Sequence, residues 1–202
     1  CAASAYWPHR RIRKGQSRET TGNLRYPNPA SEESRELIMR DIETIMRDAE
    51  KRAVPMFDKT PRAPVIAQPT PRYQEANDAA RYAPPTPDGS RPGIFLYPRR
   101  PERMTKFALR TTVYHETVPG HHFLLALQAE NKELPRFRQL LFSTQAFAVG
   151  WGLYAERLAA ESGWYGEDTE GLLGQLDKEL FRAKRLVVDT GIPAKHWTRQ
   201  QA

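Results

Sequence analysis

The chain has 202 residues, enough for one domain with a core or for one lobe of something larger. Its hydrophobic content of 39% is low, its 17 prolines are many, and its single cysteine, Cys1, excludes an internal disulfide and a cysteine-rich metal site. The net charge of +7 suggests an anionic partner, but six cations against Glu19 place +5 of it in residues 1–25, a basic tail, and no basic stripe with interleaved aromatics follows in the rest of the chain.

Residues 1–30 carry no apolar period, and Pro8, Pro27 and Pro29 break them up, so a poorly structured basic head is expected. No apolar run approaches the ~20 residues needed to span a bilayer. Cys1 fits the lipid-bearing cysteine of a processed lipoprotein, or simply the point where the sequence begins. A membrane partner is expected only in the first case, and no specific nucleic-acid partner is expected.

From Ser31 the pattern changes. Leu37, Ile38, Ile42, Ile45, Met46 and Ala49 recur at helical spacing, which predicts an amphipathic helix over about 32–53 with Ser31 as N-cap. Residues 55–101 hold eleven prolines, too many for a long helix. Two extended pieces survive there, Val65–Gln68 and Ile94–Tyr97, with a turn at Pro87-Asp88-Gly89-Ser90 between them. The aromatics Phe57, Tyr73, Tyr82, Phe95 and Tyr97 argue that this region is ordered. The chain then reads as helices over about 103–118, 121–132, 136–162 and 169–188, with Gly163 and Gly191 as stops. Thr198 reads as the cap of one more helix that the sequence leaves too short to stand, which suggests a truncated product. The expected organisation is a head over 1–30 and a partial domain over 31–202, divided into a helix (31–54), a proline-rich part (55–101) and a helical part (102–202).

The chemistry concentrates in Tyr114-His115-Glu116-Thr117-Val118-Pro119-Gly120-His121-His122. Two imidazoles that hold a metal, with a carboxylate beside the first to take a proton from bound water, are the logic of zinc peptidases. The usual second histidine lies at i+4; here the candidates are i+6 and i+7, about 9–10 Å along an unbroken helix. Pro119 removes that objection, because it cannot donate to the His115 carbonyl and must kink or break the helix. Gly120 is then free to turn the chain back. Spacing alone leaves His121 and His122 open as the second ligand. A Pro-Gly loop with surface histidines is the plain alternative.

This motif resembles the signature of the bacterial family "domain of unknown function 885". So do Pro84-Pro85-Thr86-Pro87-Asp88-Gly89-Ser90-Arg91-Pro92-Gly93, Trp151-Gly152-Leu153-Tyr154-Ala155-Glu156 and Arg185-Leu186-Val187-Val188-Asp189-Thr190-Gly191-Ile192. The resemblance covers roughly residues 50–202, with no place for residues 1–30. It implies a mainly α, zincin-like helical lobe with a small β element, incomplete beside longer members, and one Zn2+ ion. His115 and His121 would be ligands, His122 the alternative ligand, and Glu116 the general base acting on a peptide or related amide. Tyr114, Tyr154, Arg185 and Asp189 are candidates for substrate contact; each is also readable as structural, Arg185 and Asp189 as an i,i+4 ion pair. The extended pieces at 65–68 and 94–97 could align a peptide by edge pairing.

The sequence departs from the family pattern twice. The expected third ligand, a glutamate before Gly-Trp, is Val149, and a valine cannot coordinate a metal. Glu156 lies seven residues on along the same face and is the possible substitute. A histidine expected after Ile192 is Pro193. Three readings follow: a zinc-dependent metallopeptidase or carboxypeptidase-like hydrolase, a catalytically impaired remnant of one, and an interaction module that uses the basic head.

Overall fold

The computed structural model describes Tyr26 and residues 31–75, 78–100, 104–140 and 144–202. The basic head and Cys1 lie outside the described residues. Helix α1, Glu32–Ala53, begins where expected: the Ser31 side chain accepts from the Ser34 N–H, and Glu32 and Glu33 sit against the positive end of the helix dipole. Ile38, Ile42, Ile45, Met46 and Ala49 are buried along one face, which packs on the rest of the core.

The proline-rich part forms a three-stranded sheet: β1 (Val65–Pro69), β2 (Arg81–Ala83) and β3 (Gly93–Tyr97), in the order β1-β3-β2. β1 runs parallel to β3 and β2 antiparallel to it. β2, only three residues long and followed by two prolines, gave no alternation to read. Its presence corrects the expectation for 94–97: β3 is the central strand with a neighbour on each side, so it has no edge for a peptide. The predicted turn is present, with Gly89 at φ +75° and the Asp88 carboxylate accepting from the N–H and hydroxyl of Ser90. Glu130 pins the start of this region to the helical part by accepting from the Arg62 and Ala63 N–H groups at 2.9 and 3.0 Å.

The helical part comprises α2 (Lys106–Glu116), α3 (His121–Glu130), α4 (Arg136–Leu140), α5 (Gln145–Glu161) and α6 (Thr169–Lys195). The helix predicted over 136–162 is thus two helices. Thr144 is extended and its side chain accepts from the Phe147 N–H, so it starts α5 afresh. Gly163, at φ +72°, is the stop it was expected to be. Gly191 is not: α6 runs through it and through Pro193 to Lys195, and ends where His196 turns left-handed. Gly191 is small for another reason, since a Cβ there would lie 2.2 Å from the Trp197 ring. Thr198 caps only a single closing turn, with the Gln201 N–H donating to its carbonyl.

α2 is the central helix, flanked by α1, α5 and α6. The approach of α6 is close: a Cβ on Gly174 would fall 1.8 Å from the Phe107 carbonyl oxygen. Asp168 both caps α6, accepting from the Gly171 N–H, and pairs with Arg110 of α2 at 2.7 Å. Among the described residues no helix is long and apolar enough to cross a membrane.

Candidate functional site: a buried histidine–carboxylate centre

The break between α2 and α3 has the form the sequence predicted. The Val118–Pro119 peptide bond is cis, and Gly120 passes so close to α2 that a Cβ on it would lie 1.9 Å from the His115 carbonyl oxygen. Only glycine fits there. The Trp151 indole of α5 donates to the Pro119 carbonyl at 2.8 Å and holds the turn in place. The chain therefore reverses within four residues, and the rings of His115 and His121 meet edge to face with centroids 4.6 Å apart.

His122 goes elsewhere. The Tyr82 hydroxyl hydrogen-bonds its Nδ1 at 2.9 Å, and the ring closes over Gly93, where a Cβ would lie 2.7 Å from that nitrogen. The structure thus brings His121, and not His122, against His115. His121 Nδ1 is buried with no hydrogen-bond partner. Burial pushes the His121 imidazole down to about 4, so it is neutral, with a ring nitrogen left to accept or to ligate.

Glu156 of α5 sits directly behind His115. Its Oε1 lies 2.6 Å from His115 Nδ1, and Arg182 of α6 donates to both of its oxygens at 2.6 and 2.8 Å. Burial alone would raise this carboxyl, but the hydrogen bonds from His115 and Arg182 outweigh it and hold it at about 2. Glu156 is therefore ionised, and both its oxygens are committed to side chains. It orients His115 as a carboxylate orients a ligating imidazole from behind, and does not stand as a third ligand. Glu116 is also buried, and desolvation, only partly offset by His115 and Lys178 nearby, raises it to about 7. A carboxyl poised there exchanges a proton near neutrality.

Gly152 makes the packing possible. It lies one turn before Glu156, and a Cβ on it would stand 2.5 Å from His115 Cε1. Gly152→Ala should cost about 1–3 kcal/mol through overpacking and displace the His115 ring. A thermal melt together with the His115 imidazole resonances checks both effects. An unshifted ring would show that the contact has slack.

The remaining candidates divide. Tyr114 is fully buried, packs edge to face on Trp164 and Tyr165, and hydrogen-bonds Arg110 and the Trp164 carbonyl, so it belongs to the core. Tyr154, Arg185 and Asp189 line one groove of about 600 Å³ between α5 and α6, together with Val149, Glu156 and Arg182. Arg185 reaches over the Phe181 ring. Sequence reasoning missed Arg182, Gly152 and Tyr82. Only Gly152 left a signal, one helical turn from Glu156 within Trp151-Gly152-Leu153-Tyr154-Ala155-Glu156.

A metal centre with three protein ligands does not fit these residues. Two imidazoles are available, Glu156 is held by His115 and Arg182, and position 149, one turn before Gly152, offers a half-exposed isopropyl group.

Fold and site together define a mainly helical domain with a small sheet and a buried histidine–carboxylate centre at a broken helix pair. The pattern of the family described as "Bacterial protein of unknown function (DUF885)" matches residues 11–202, and the chain belongs to that family. The match takes in most of the head, which the motifs by themselves could not place. A solved structure described as "the putative lipoprotein from Colwellia psychrerythraea" is similar at 39% identity and a TM-score of 0.83, over 88% of this chain. The match spans 30% of the length of that Colwellia protein. No curated protein matches.

Proposed function

We propose that this chain carries the imidazole–carboxylate part of a zinc-metallopeptidase-type hydrolase site in impaired form. The observation behind the reading is the His115–Glu156–Arg182 relay, with the neutral His121 ring 4.6 Å away and the Glu116 carboxyl at about 7 beside it. A divalent ion held by His115 and His121 would supply Lewis acidity toward a carbonyl. The chain's own side chains do the rest. Glu156 and Arg182 fix the His115 ring, and Glu116 takes up and returns a proton at near-neutral pH. The α5–α6 groove, with Tyr154, Arg185 and Asp189 on its walls, accepts a peptide or related amide. Val149 leaves the ligand set one short, so metal binding should be weak and turnover slow or absent.

Zinc titration of single variants tests the assignment of ligands. His115→Ala and His121→Ala should each abolish the residual binding, while His122→Ala should leave it within about twofold. Loss of binding with His122→Ala and retention with His121→Ala would reverse the pair. If no variant differs from the parent chain, the metal reading is wrong.

A further inference from the structure

Two cations of α6 reach the centre, one helical turn apart. Arg182 is spent on Glu156, since it donates to both of that carboxylate's oxygens. Lys178 crosses instead to α2, where its ammonium donates to the Thr112 hydroxyl. That hydroxyl donates in turn to the Ala108 carbonyl at 2.7 Å, so its oxygen is left to accept from Lys178. Thr112 is buried, which makes the contact an interior one.

An ammonium carries three N–H donors, and Thr112 takes one of them. Glu116 stands one turn further along the same face of α2, and among the described residues no hydrogen bond reaches its buried carboxyl. Such a carboxyl is short of donors while the ammonium beside it has donors to spare. Side chains four residues apart on a helix have Cβ atoms roughly 5–6 Å apart, and charge-assisted N–H···O bonds run to about 2.7–2.9 Å. One ammonium therefore spans the gap between the hydroxyl and the carboxylate. Burial draws Lys178 below its ordinary value, against the opposing pull of Glu156 and Glu116, so the two groups already feel each other.

We propose that Lys178 is the positioning residue of Glu116: anchored on Thr112, its ammonium turns its remaining N–H groups to the Glu116 carboxylate and fixes that carboxylate beside His115. A carboxylate free to rotate meets its proton in many orientations; one tied to a fixed cation meets it in one. The functional meaning rests on the reading of Glu116 as the proton carrier, whereas the pair itself does not. The competing account is a lysine that serves only the α2–α6 contact through Thr112.

Two measurements on the metal-free chain separate these. The first is NMR exchange of the Lys178 ammonium protons in the parent chain and in Glu116→Met, which keeps the length of the side chain and removes the acceptor. Exchange should quicken about tenfold or more, the equivalent of one lost charge-assisted hydrogen bond. An unchanged rate overturns the proposal. The second is the urea midpoint at about pH 8 for Lys178→Met, Glu116→Met and the double variant. Lys178→Met should lower the midpoint by stranding the carboxylate, and adding Glu116→Met should return most of that loss. If the second substitution lowers the midpoint further, Lys178 serves Thr112 alone and the proposal falls. The exchange measurement keeps the lysine in place, so it decides the matter even if Lys178→Met does not fold. Zinc enters neither readout, so failure here is distinguishable from failure of the proposed function.

Discussion

Val149→Glu should raise zinc affinity by about two orders of magnitude, the largest gain any single substitution in this chain should give. Position 149 lies on the face of α5 that carries Gly152 and Glu156, one turn before the glycine that touches His115. A carboxylate there would stand beside the two imidazoles, and no buried group must be moved to admit it, because Val149 borders the open groove. Isothermal titration with zinc, against the parent chain and against a Val149→Glu, His115→Ala double variant, measures the effect. If affinity rises and falls again in the double variant, the site is a metal site lacking one donor. If Val149→Glu leaves affinity unchanged, then either another residue already completes the site or the two histidines do not hold a metal together.

Arg182→Ala should be the most destabilising single change at the centre. Glu156 is 1% exposed, and Arg182 is its principal cation. Removing one partner of a buried pair leaves the other charged, desolvated and uncompensated, at a cost of about 3–5 kcal/mol. Urea denaturation at neutral pH measures it. A loss under about 1 kcal/mol would mean that water reaches Glu156 and replaces the guanidinium. The pH dependence has a definite sign. Glu156 titrates at about 2 in the folded chain and near its ordinary 4.5 when unfolded. Its contribution to stability is therefore complete above about 4.5 and lost as the pH falls toward 2. In Arg182→Ala the acid limb should be shallower, because the part of the downward shift that Arg182 supplies is gone while that of His115 stays.

Several features could be read without coordinates. α1 was legible from end to end because its apolar period, its Ser31 cap and the prolines that follow all agree, and such agreement leaves few alternatives. The broken α2–α3 pair was legible because Pro119 cannot continue a helix and Gly120 tolerates a contact with the His115 carbonyl that no Cβ could survive. The boundary inside 136–162 was not, since Thr144 stands in a sequence of helical period and its capping role depends on a single extended residue. Gly191 misled for a related reason: glycine signals both a helix end and a close packing contact, and here the contact with Trp197 decided it.

The same division runs through the site. Sequence alone determined that His115 and Glu116 are followed by a histidine pair across a proline that must interrupt the helix, that Glu156 lies on the same helical face as position 149, and that Val149 cannot donate to a metal. These are statements about residue chemistry and spacing along one strand of backbone. Tertiary structure decided that His121 and not His122 meets His115, because Tyr82 and Gly93, from distant strands, take His122. It also decided that Glu156 orients His115 and is no longer free to ligate, because Arg182 arrives from α6 with donors for both oxygens. Period and spacing fix which face a side chain occupies; what stands opposite that face is set by the packing of other elements, and that packing assigns each of these groups its role.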